Sequence, residues 1–150
     1  FETLIKLNAI PIVNENDTVA VDELDHRTTF GDNDQLSSLV ASAIGADLLI
    51  VLSDIDGLYD SDPHKNPLAE TIPLVHEITD DIIQSAGGSS TRFGTGGMVT
   101  KLKAAKQMLG VGRQMILANG QDPKIIFDIL EGQKIGTLFT PQTKELVQHG

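Results

Sequence analysis

Hydrophobic residues alternate between short extended runs and helical spacing along the chain. Two apolar runs, at 9–14 and 46–53, end in polar turns, and such runs are typical of strands buried on both faces of a sheet. Between them, residues 34–46 carry apolar side chains at helical spacing, with Asp32 or Asn33 available as the N-cap. The pattern predicts a strand, a helix and a second strand.

The second half of the chain repeats this alternation. Residues 79–88 and 100–110 have the spacing of helices, and 113–120 has the composition of a strand. In 122–132, an aspartate at the cap, a proline at the first position and a glycine past the end delimit a helix, and the extended run 136–139 follows. We therefore expect an α/β protein with a mainly parallel sheet.

Composition limits the architecture to one modest domain. The chain has 150 residues, of which 40% are hydrophobic and only 4% aromatic, so its core is mostly aliphatic. No run approaches the roughly 18 apolar residues of a membrane span, and the first ten residues lack the pattern of a signal peptide. The absence of cysteine excludes disulfides and thiolate metal sites. The simplest expectation is a cytoplasmic protein without membrane contact.

The charge of the chain disfavours polymeric nucleic acid as a partner. The formal net charge is −10, so most of the surface repels a phosphate backbone. Five of the eleven basic residues nevertheless lie within or just after one glycine-rich loop: Arg92, Lys101, Lys103, Lys106 and Arg113. A local anion site is one explanation of this cluster, and a solvated basic helix face is the other.

Polar clusters follow the predicted strands or open the predicted helices. They occupy residues 14–18, 30–34 and 53–63. In parallel sheets ligands gather beyond the carboxyl ends of the strands, where these clusters are expected. Each cluster alone is compatible with ordinary turn and cap residues. Because all three fall at one edge of the predicted sheet, together they favour a ligand site.

The glycine-rich segment 94–97 precedes a lysine-containing helix. It is not a P-loop, because Thr100 rather than glycine precedes Lys101, and Val99 stands where a dinucleotide fingerprint has its third glycine. Glycines still let backbone N–H groups approach an oxyanion, and a helix start adds the positive end of its dipole. Lys101 could then lie over a phosphoryl group. A tight turn without ligand is the alternative.

Four segments, in this order and spacing, resemble the amino acid kinase family. They are "PIVNENDTVA", "FGDNDQLSSLVA", "LLIVLSDIDGLYDSDP" and "GTGGMVTKLKAA", and the resemblance extends from residue 1 to about residue 140. It implies a three-layer αβα sandwich around a mainly parallel sheet. "GTGGMVTK" together with "NEND" and "GDND" is typical of the family members that phosphorylate glutamate.

This resemblance implies transfer of the γ-phosphoryl group of ATP to the side-chain carboxylate of L-glutamate, as the first step of proline biosynthesis. A carboxylate is already ionised at neutral pH, so alignment and charge neutralisation matter more than a general base. The four histidines are then not needed for the chemistry. Bringing two anions together calls for Mg²⁺ and lysines. The family also implies a homo-oligomer, with proline as a feedback inhibitor.

The resemblance assigns roles residue by residue. Asp17 would pair with the ammonium group of glutamate and Asn33 would make a second substrate contact. Asp34 would orient catalytic lysines, and Lys101 would be the lysine that contacts the transition state. The implied ATP-binding residues are Ser53, Asp54, Thr95, Gly96, Gly97, Met98, Val99, Thr100 and Lys101. Serine replaces the more common threonine at position 53, but the hydroxyl is kept.

Two alternatives stay open at the level of sequence. An acetylglutamate kinase is one, although Asp17 argues against it because an acetylated substrate has no ammonium to pair. The other is a non-catalytic domain that binds amino acid or nucleotide, although such a domain needs neither Asp34 nor Lys101. The family's first lysine-bearing strand and first two glycine loops have no counterpart here, and neither does an RNA-binding-like C-terminal domain. We therefore expect the C-terminal, nucleotide-binding portion of a kinase domain, inactive alone.

Overall fold

The computed structural model describes residues 1–14, 33–86 and 97–143. Every helix predicted within these ranges is present, and three of the four predicted strands are. In chain order the elements are α1 (Glu2–Lys6), α2 (Asn33–Ala43), β1 (Leu48–Ser53), β2 (Leu74–Val75), α3 (Asp80–Ala86), α4 (Gly97–Gly110), β3 (Gln114–Asn119), α5 (Ile125–Leu130) and β4 (Thr137–Phe139). The α/β class is thus confirmed.

The four strands form one sheet in the order β1-β3-β4-β2. β1 and β3 are parallel and in register from Leu48–Gln114 to Ser53–Asn119, and β2 is parallel to β4. The pair β3–β4 is antiparallel. Thr137 pairs with Leu117 and Phe139 with Met115, so β4 begins beside the last residues of β3 and runs back along it.

The predicted strand at 9–14 is wrong. These residues form no strand in the structure, and Ile10 and Ile12 are 88% and 91% exposed. An apolar run records a preference for burial, but a strand also needs a neighbour that completes its hydrogen-bond ladder. β1 has β3 along one edge only, so among the described residues it ends the sheet.

The chain between β1 and β2, residues 54–73, leaves the sheet in a long connection that we call the excursion. Its turn-rich sequence did not predict its structure. Tyr59 and Thr71 form an isolated antiparallel bridge, and the N–H of Ile72 donates to the carbonyl of Leu58 at 2.7 Å. The excursion therefore closes on itself before it reaches β2. Its base is held against the sheet through Thr137, a polar side chain with 0% exposure.

Helices α2 and α4 pack side by side over the sheet, and they run in the same direction. Near their N-termini Asp34 meets Lys101, and farther along both helices the Ser38 hydroxyl lies 3.1 Å from the side-chain oxygen of Gln107. Contacts that advance together along both helices require parallel axes. Ser38 is fully buried, and its small side chain allows the close approach. None of the described helices is both long and apolar enough to cross a membrane.

The helix starts and strand ends converge at one edge of the sheet. Each of α2 and α4 is joined to the strand that follows it by a short connection, 44–47 and 111–113, and packs on that strand, so each helix runs opposite to its strand. Because β1 and β3 are parallel, the N-termini of both helices lie beyond the carboxyl ends of both strands. We call this side of the sheet the ligand edge.

We expect Gly136→Ala to destabilise the fold more than Gly132→Ala does. Both glycines have positive φ, at +67° and +89°, so alanine costs about 1–2 kcal/mol at either position. A Cβ at Gly136 would in addition collide with the Leu117 carbonyl, whereas at Gly132 it meets nothing within 4 Å. The collision should add about 1–3 kcal/mol. Urea denaturation of the purified variants measures both losses, and equal losses would contradict the close approach.

Candidate active site

An ion pair between the first turns of α2 and α4 is the most specific feature of the ligand edge. The Lys101 Nζ donates to Asp34 Oδ2 at 3.0 Å, and the two side chains are only 15% and 16% exposed. The same ammonium donates to the Gly97 carbonyl at 3.2 Å. Lys101 is therefore fixed in position before any ligand arrives. The helical packing described above is what brings these two predicted residues together.

The first turn of α4 offers backbone donors beside this ammonium. An α-helix leaves its first four N–H groups without intrahelical acceptors, and its dipole favours an anion there. Gly97 begins the helix, and a Cβ at this position would meet nothing within 4 Å, so the approach is open. The Thr100 hydroxyl lies 3.1 Å from Asp34 Oδ2 and 3.0 Å from the Gly97 carbonyl. Lys101 and this helix start together fit a phosphate group.

An open groove lies beyond the carboxyl ends of β1 and β3. Its volume is about 470 Å³, and its lining residues are Leu52, Ser53, Asp54, Asn119, Gly120 and Gln121. The N–H of Gly120 donates to the Ser53 carbonyl at 2.8 Å. A Cβ at Gly120 would lie 2.6 Å from the Cβ of Leu52, so only glycine permits this approach. The predicted nucleotide-binding pair, Ser53 and Asp54, forms one wall of the groove.

Asn119 is a site residue that sequence reasoning missed. Its side-chain amide donates to Asp56 Oδ1 at 3.0 Å and to the Asp54 carbonyl at 3.4 Å, while its oxygen accepts the N–H of Gln121 at 2.9 Å. Asn119 thus links the end of β3 to the turn that follows β1. In the sequence, Asn119 belongs to an Asn-Gly pair at a strand end, and such a pair indicates an ordinary turn.

Asp56 also orders the other side of its turn. The Tyr59 hydroxyl donates to Asp56 Oδ2 at 3.0 Å. This hydrogen bond raises the pKa of Tyr59 above its ordinary value of 10.0, and burial and the negative charge of Asp56 act in the same direction. Asp56 therefore has one carboxylate oxygen on Asn119 and the other on Tyr59.

A second, mostly apolar cavity lies between the N-terminal segment and α2. It has a volume of about 450 Å³, and Asn14 and Asn33 are among its few polar lining residues. Asn33, predicted as a substrate contact, is the exposed first residue of α2. The predicted substrate residue Asp17 lies outside the described residues. This cavity and the groove are separate concavities.

The remaining predicted nucleotide residues divide into two groups. Thr95 and Gly96 lie outside the described part of the chain. Met98 and Val99 are half-buried in the first turn of α4, and Met98 packs against the hydrophobic core.

The donor set of the described residues does not suit a protein-bound metal ion. Within residues 1–14, 33–86 and 97–143, no three His, Asp or Glu side chains are grouped so that they could hold one. Mg²⁺ in proteins often keeps several waters and is bound through one or two carboxylates together with substrate phosphates.

Comparison with known proteins identifies the family. The model of the amino acid kinase family matches residues 1–119, which is most of the chain. The chain belongs to the amino acid kinase family. The resemblance predicted from the four sequence segments is thereby confirmed.

Curated relatives of this amino acid kinase chain are glutamate 5-kinases. That of Lactiplantibacillus plantarum is 63% identical over 139 residues, which cover 93% of this chain and 52% of the relative. That of Listeria monocytogenes is 52% identical over 149 residues, covering 99% of this chain and 54% of the relative. The chain thus spans about half the length of the curated relatives it matches.

A solved structure supports the fold. The uridylate kinase of Archaeoglobus fulgidus is 25% identical and superposes with a TM-score of 0.52, over 71% of this chain and 46% of that protein. Together with the family match, this similarity confirms the predicted three-layer αβα sandwich with its mainly parallel sheet. The antiparallel pair β3–β4 is a local exception within it.

Tyr59 provides a direct test of the Asp56 contact, since the chain has one tyrosine and no tryptophan. Ionisation of Tyr59 would break its hydrogen bond and place two negative charges together, so its absorbance titration should have a midpoint above the ordinary tyrosine value. Because folding raises this pKa, the contact stabilises the fold fully below the unfolded pKa. The contribution is lost as pH rises through the folded pKa.

Asp56→Asn should lower the Tyr59 midpoint, because the variant removes the negative charge and the charged acceptor. Glu131→Gln is the matched control, since it removes one exposed negative charge outside this turn. A midpoint that moved equally in both variants would assign the shift to net charge and not to the contact.

Proposed function

We propose that the chain forms the nucleotide-binding part of an enzyme that transfers the γ-phosphoryl group of ATP to the side-chain carboxylate of L-glutamate. The observation that carries the proposal is the Lys101 ammonium, held by Asp34 at the N-terminus of α4 on the ligand edge. Similarity to curated glutamate 5-kinases, at 63% identity for one of them, supports the choice of substrate.

The proposed chemistry needs charge neutralisation more than proton transfer. The attacking carboxylate is ionised at neutral pH, so no general base has to activate it. The negative charge on the transferred group is the main obstacle, and a preorganised ammonium stabilises it without a cost for reorienting the donor. We assign this role to Lys101. Asp34 is its positioning residue, because the carboxylate restricts Nζ to one place at the start of α4.

The groove at the ends of β1 and β3 is the proposed nucleotide site. Ser53 and Asp54 form one wall, and the phosphates would extend toward the first turn of α4. Thr95 and Gly96 complete this assignment by family resemblance. Mg²⁺ would enter bound to the phosphates of ATP, where it reduces the repulsion between ATP and the second anion.

Glutamate is assigned to Asp17 and Asn33. A carboxylate at Asp17 would pair with the substrate ammonium, and Asn33 lines the cavity at the start of α2. N-acetylglutamate has no ammonium, so the same arrangement disfavours it. A domain that only binds ligand would not need the half-buried ion pair between Asp34 and Lys101, and we prefer a kinase for that reason.

The remaining parts of the proposal concern the whole protein. Since the chain spans about half the length of its curated relatives, we assign activity to the full-length protein and expect these 150 residues alone to be inactive. We further propose a place in proline biosynthesis, proline as a feedback inhibitor, a homo-oligomeric state and a cytoplasmic location.

Formation of γ-glutamyl hydroxamate by the full-length protein, with ATP and Mg²⁺, tests the proposed reaction. Glutamate should be phosphorylated with a kcat/KM at least about 100-fold above that for N-acetylglutamate, because the acetylated substrate would leave the Asp17 carboxylate without an ammonium partner. A reversed preference would favour the acetylglutamate kinase. Tight binding of both ligands without turnover would favour the non-catalytic domain.

Lys101→Met in the full-length protein should lower kcat about 10²–10³-fold while the KM for glutamate changes by less than about threefold. Removal of a donor that acts mainly on the transition state has this signature. Lys103→Met is the matched control, since Lys103 lies two residues along the same helix and is exposed. Steady-state kinetics of both variants decide the role, and an effect confined to KM would remove Lys101 from it.

A further inference from the structure

The Thr137 hydroxyl is buried and has two hydrogen-bond partners from distant parts of the chain. Thr137 begins β4 and has 0% exposure. Its Oγ1 accepts the N–H of Leu58 at 2.9 Å and donates to the carbonyl of Ile72 at 2.7 Å. The same hydroxyl therefore holds both ends of the excursion between β1 and β2.

The turn that Thr137 holds is the one that borders the groove. Residues 54–58 leave the end of β1, and Asp54 lines the groove directly. Gly57 lies against the threonine, because a Cβ there would be 2.7 Å from Thr137 Oγ1. On the opposite side the Asn119 side-chain amide donates hydrogen bonds to Asp56 and to the Asp54 carbonyl. The turn is thus held between the end of β3 and the start of β4. We call these contacts of Asn119 and Thr137 the clamp.

The antiparallel pairing of β3 with β4 makes this clamp possible. Thr137 pairs with Leu117 and so lies two residues from the end of β3, close to the groove. Had β4 been parallel to β3, its first residue would lie at the opposite edge of the sheet. A side chain of β4 with no direct place in the groove can therefore control the position of its wall.

We propose that Thr137 is a positioning residue for the nucleotide, because its hydroxyl fixes the 54–58 turn and with it the Asp54 wall of the groove. This inference rests on the proposed function, which places ATP in that groove. Asp34 and Lys101 belong to different elements, and neither contacts Thr137 directly in the hydrogen bonds described above. Loss of the hydroxyl should consequently weaken nucleotide binding selectively.

Thr137→Val in the full-length protein keeps the shape of the side chain and removes both hydrogen bonds. The dissociation constant for MgATP should rise about tenfold, which is the effect expected when displacement of the groove wall costs the nucleotide one hydrogen bond. The KM for glutamate, measured at saturating MgATP, should stay within about twofold. Thr137→Ser, which retains the hydroxyl, should restore MgATP binding to within about twofold of wild type.

Thr140→Val is the matched control on the same stretch of chain. Its hydroxyl accepts from the Gln114 side chain at 2.8 Å, at the start of β3 and far from the groove. This variant should leave MgATP binding unchanged. A general loss of folded protein would lower the active fraction without changing the dissociation constant, so a selective rise in that constant separates positioning from stability.

Gly57→Ala tests the clamp from the other side if Thr137→Val does not fold. Its Cβ displaces the Thr137 hydroxyl from the turn, and the same selective weakening of MgATP is expected. Gly110→Ala, where a Cβ meets nothing within 4 Å, is the control and should bind MgATP as wild type does.

Three results would overturn the inference: unchanged MgATP affinity in folded Thr137→Val or Gly57→Ala, equal weakening of glutamate and MgATP, or no recovery in Thr137→Ser. Failure of the proposed function gives a different result, since the wild-type protein would then bind no MgATP. Amide exchange at Leu58 reports the clamp without any ligand and should accelerate at least tenfold in Thr137→Val relative to wild type. Unchanged exchange at Leu58 would also overturn the clamp.

Discussion

The parallel packing of α2 on α4 is the constraint on which the ligand edge depends. It requires small buried side chains at the crossing, and Ser38 supplies one while its hydroxyl is satisfied by neighbouring oxygens. The consequence is that two helix N-termini come together. Since each terminus carries orphan N–H groups and a partial positive charge, Asp34 is stabilised where it lies, and it in turn holds Lys101.

The shape of the groove has a different structural origin from the position of the ion pair. Its walls come from strand ends and from the turn after β1, which are regions where backbone, not side chains, determines the shape. Gly120 allows one strand end to approach the other, and Asn119 ties the turn to β3 through two hydrogen bonds. These hydrogen bonds lie at the exposed rim of the groove, where they favour one arrangement of the turn.

Much of the fold was predictable from periodicity, whereas the contacts at the site were not. The apolar spacing of α2 and the apolar runs of β1 and β3 identify those elements, since burial alone explains them. The strand predicted at 9–14 failed because an apolar run does not specify a neighbouring strand. The short strand β2 has two residues and no usable pattern.

The family resemblance predicted that Asp34 orients catalytic lysines, but the geometry of its 3.0 Å contact with Lys101, 67 positions away, follows from helix packing. Asn119 and Thr137 were missed for a similar reason. An asparagine before glycine indicates a turn, and a threonine in an extended run indicates a strand. Their importance lies in distant backbone partners, which local sequence does not encode. The antiparallel course of β4 was equally hidden, because no local pattern specifies the direction in which a strand pairs with a distant neighbour.

The ligand edge combines two positive helix starts with a protein of net charge −10, so the force on an anion depends on how close it lies to the first turns. Outside the first turns the acidic groups near the surface repel anions, whereas attraction by helix dipoles is confined to the first turn. At physiological ionic strength exposed charges are screened beyond about 8 Å. A compact anion can enter the attractive zone entirely, but a long polyanion keeps most of its charges over repulsive surface. The edge therefore discriminates among anions by their size as well as by their charge.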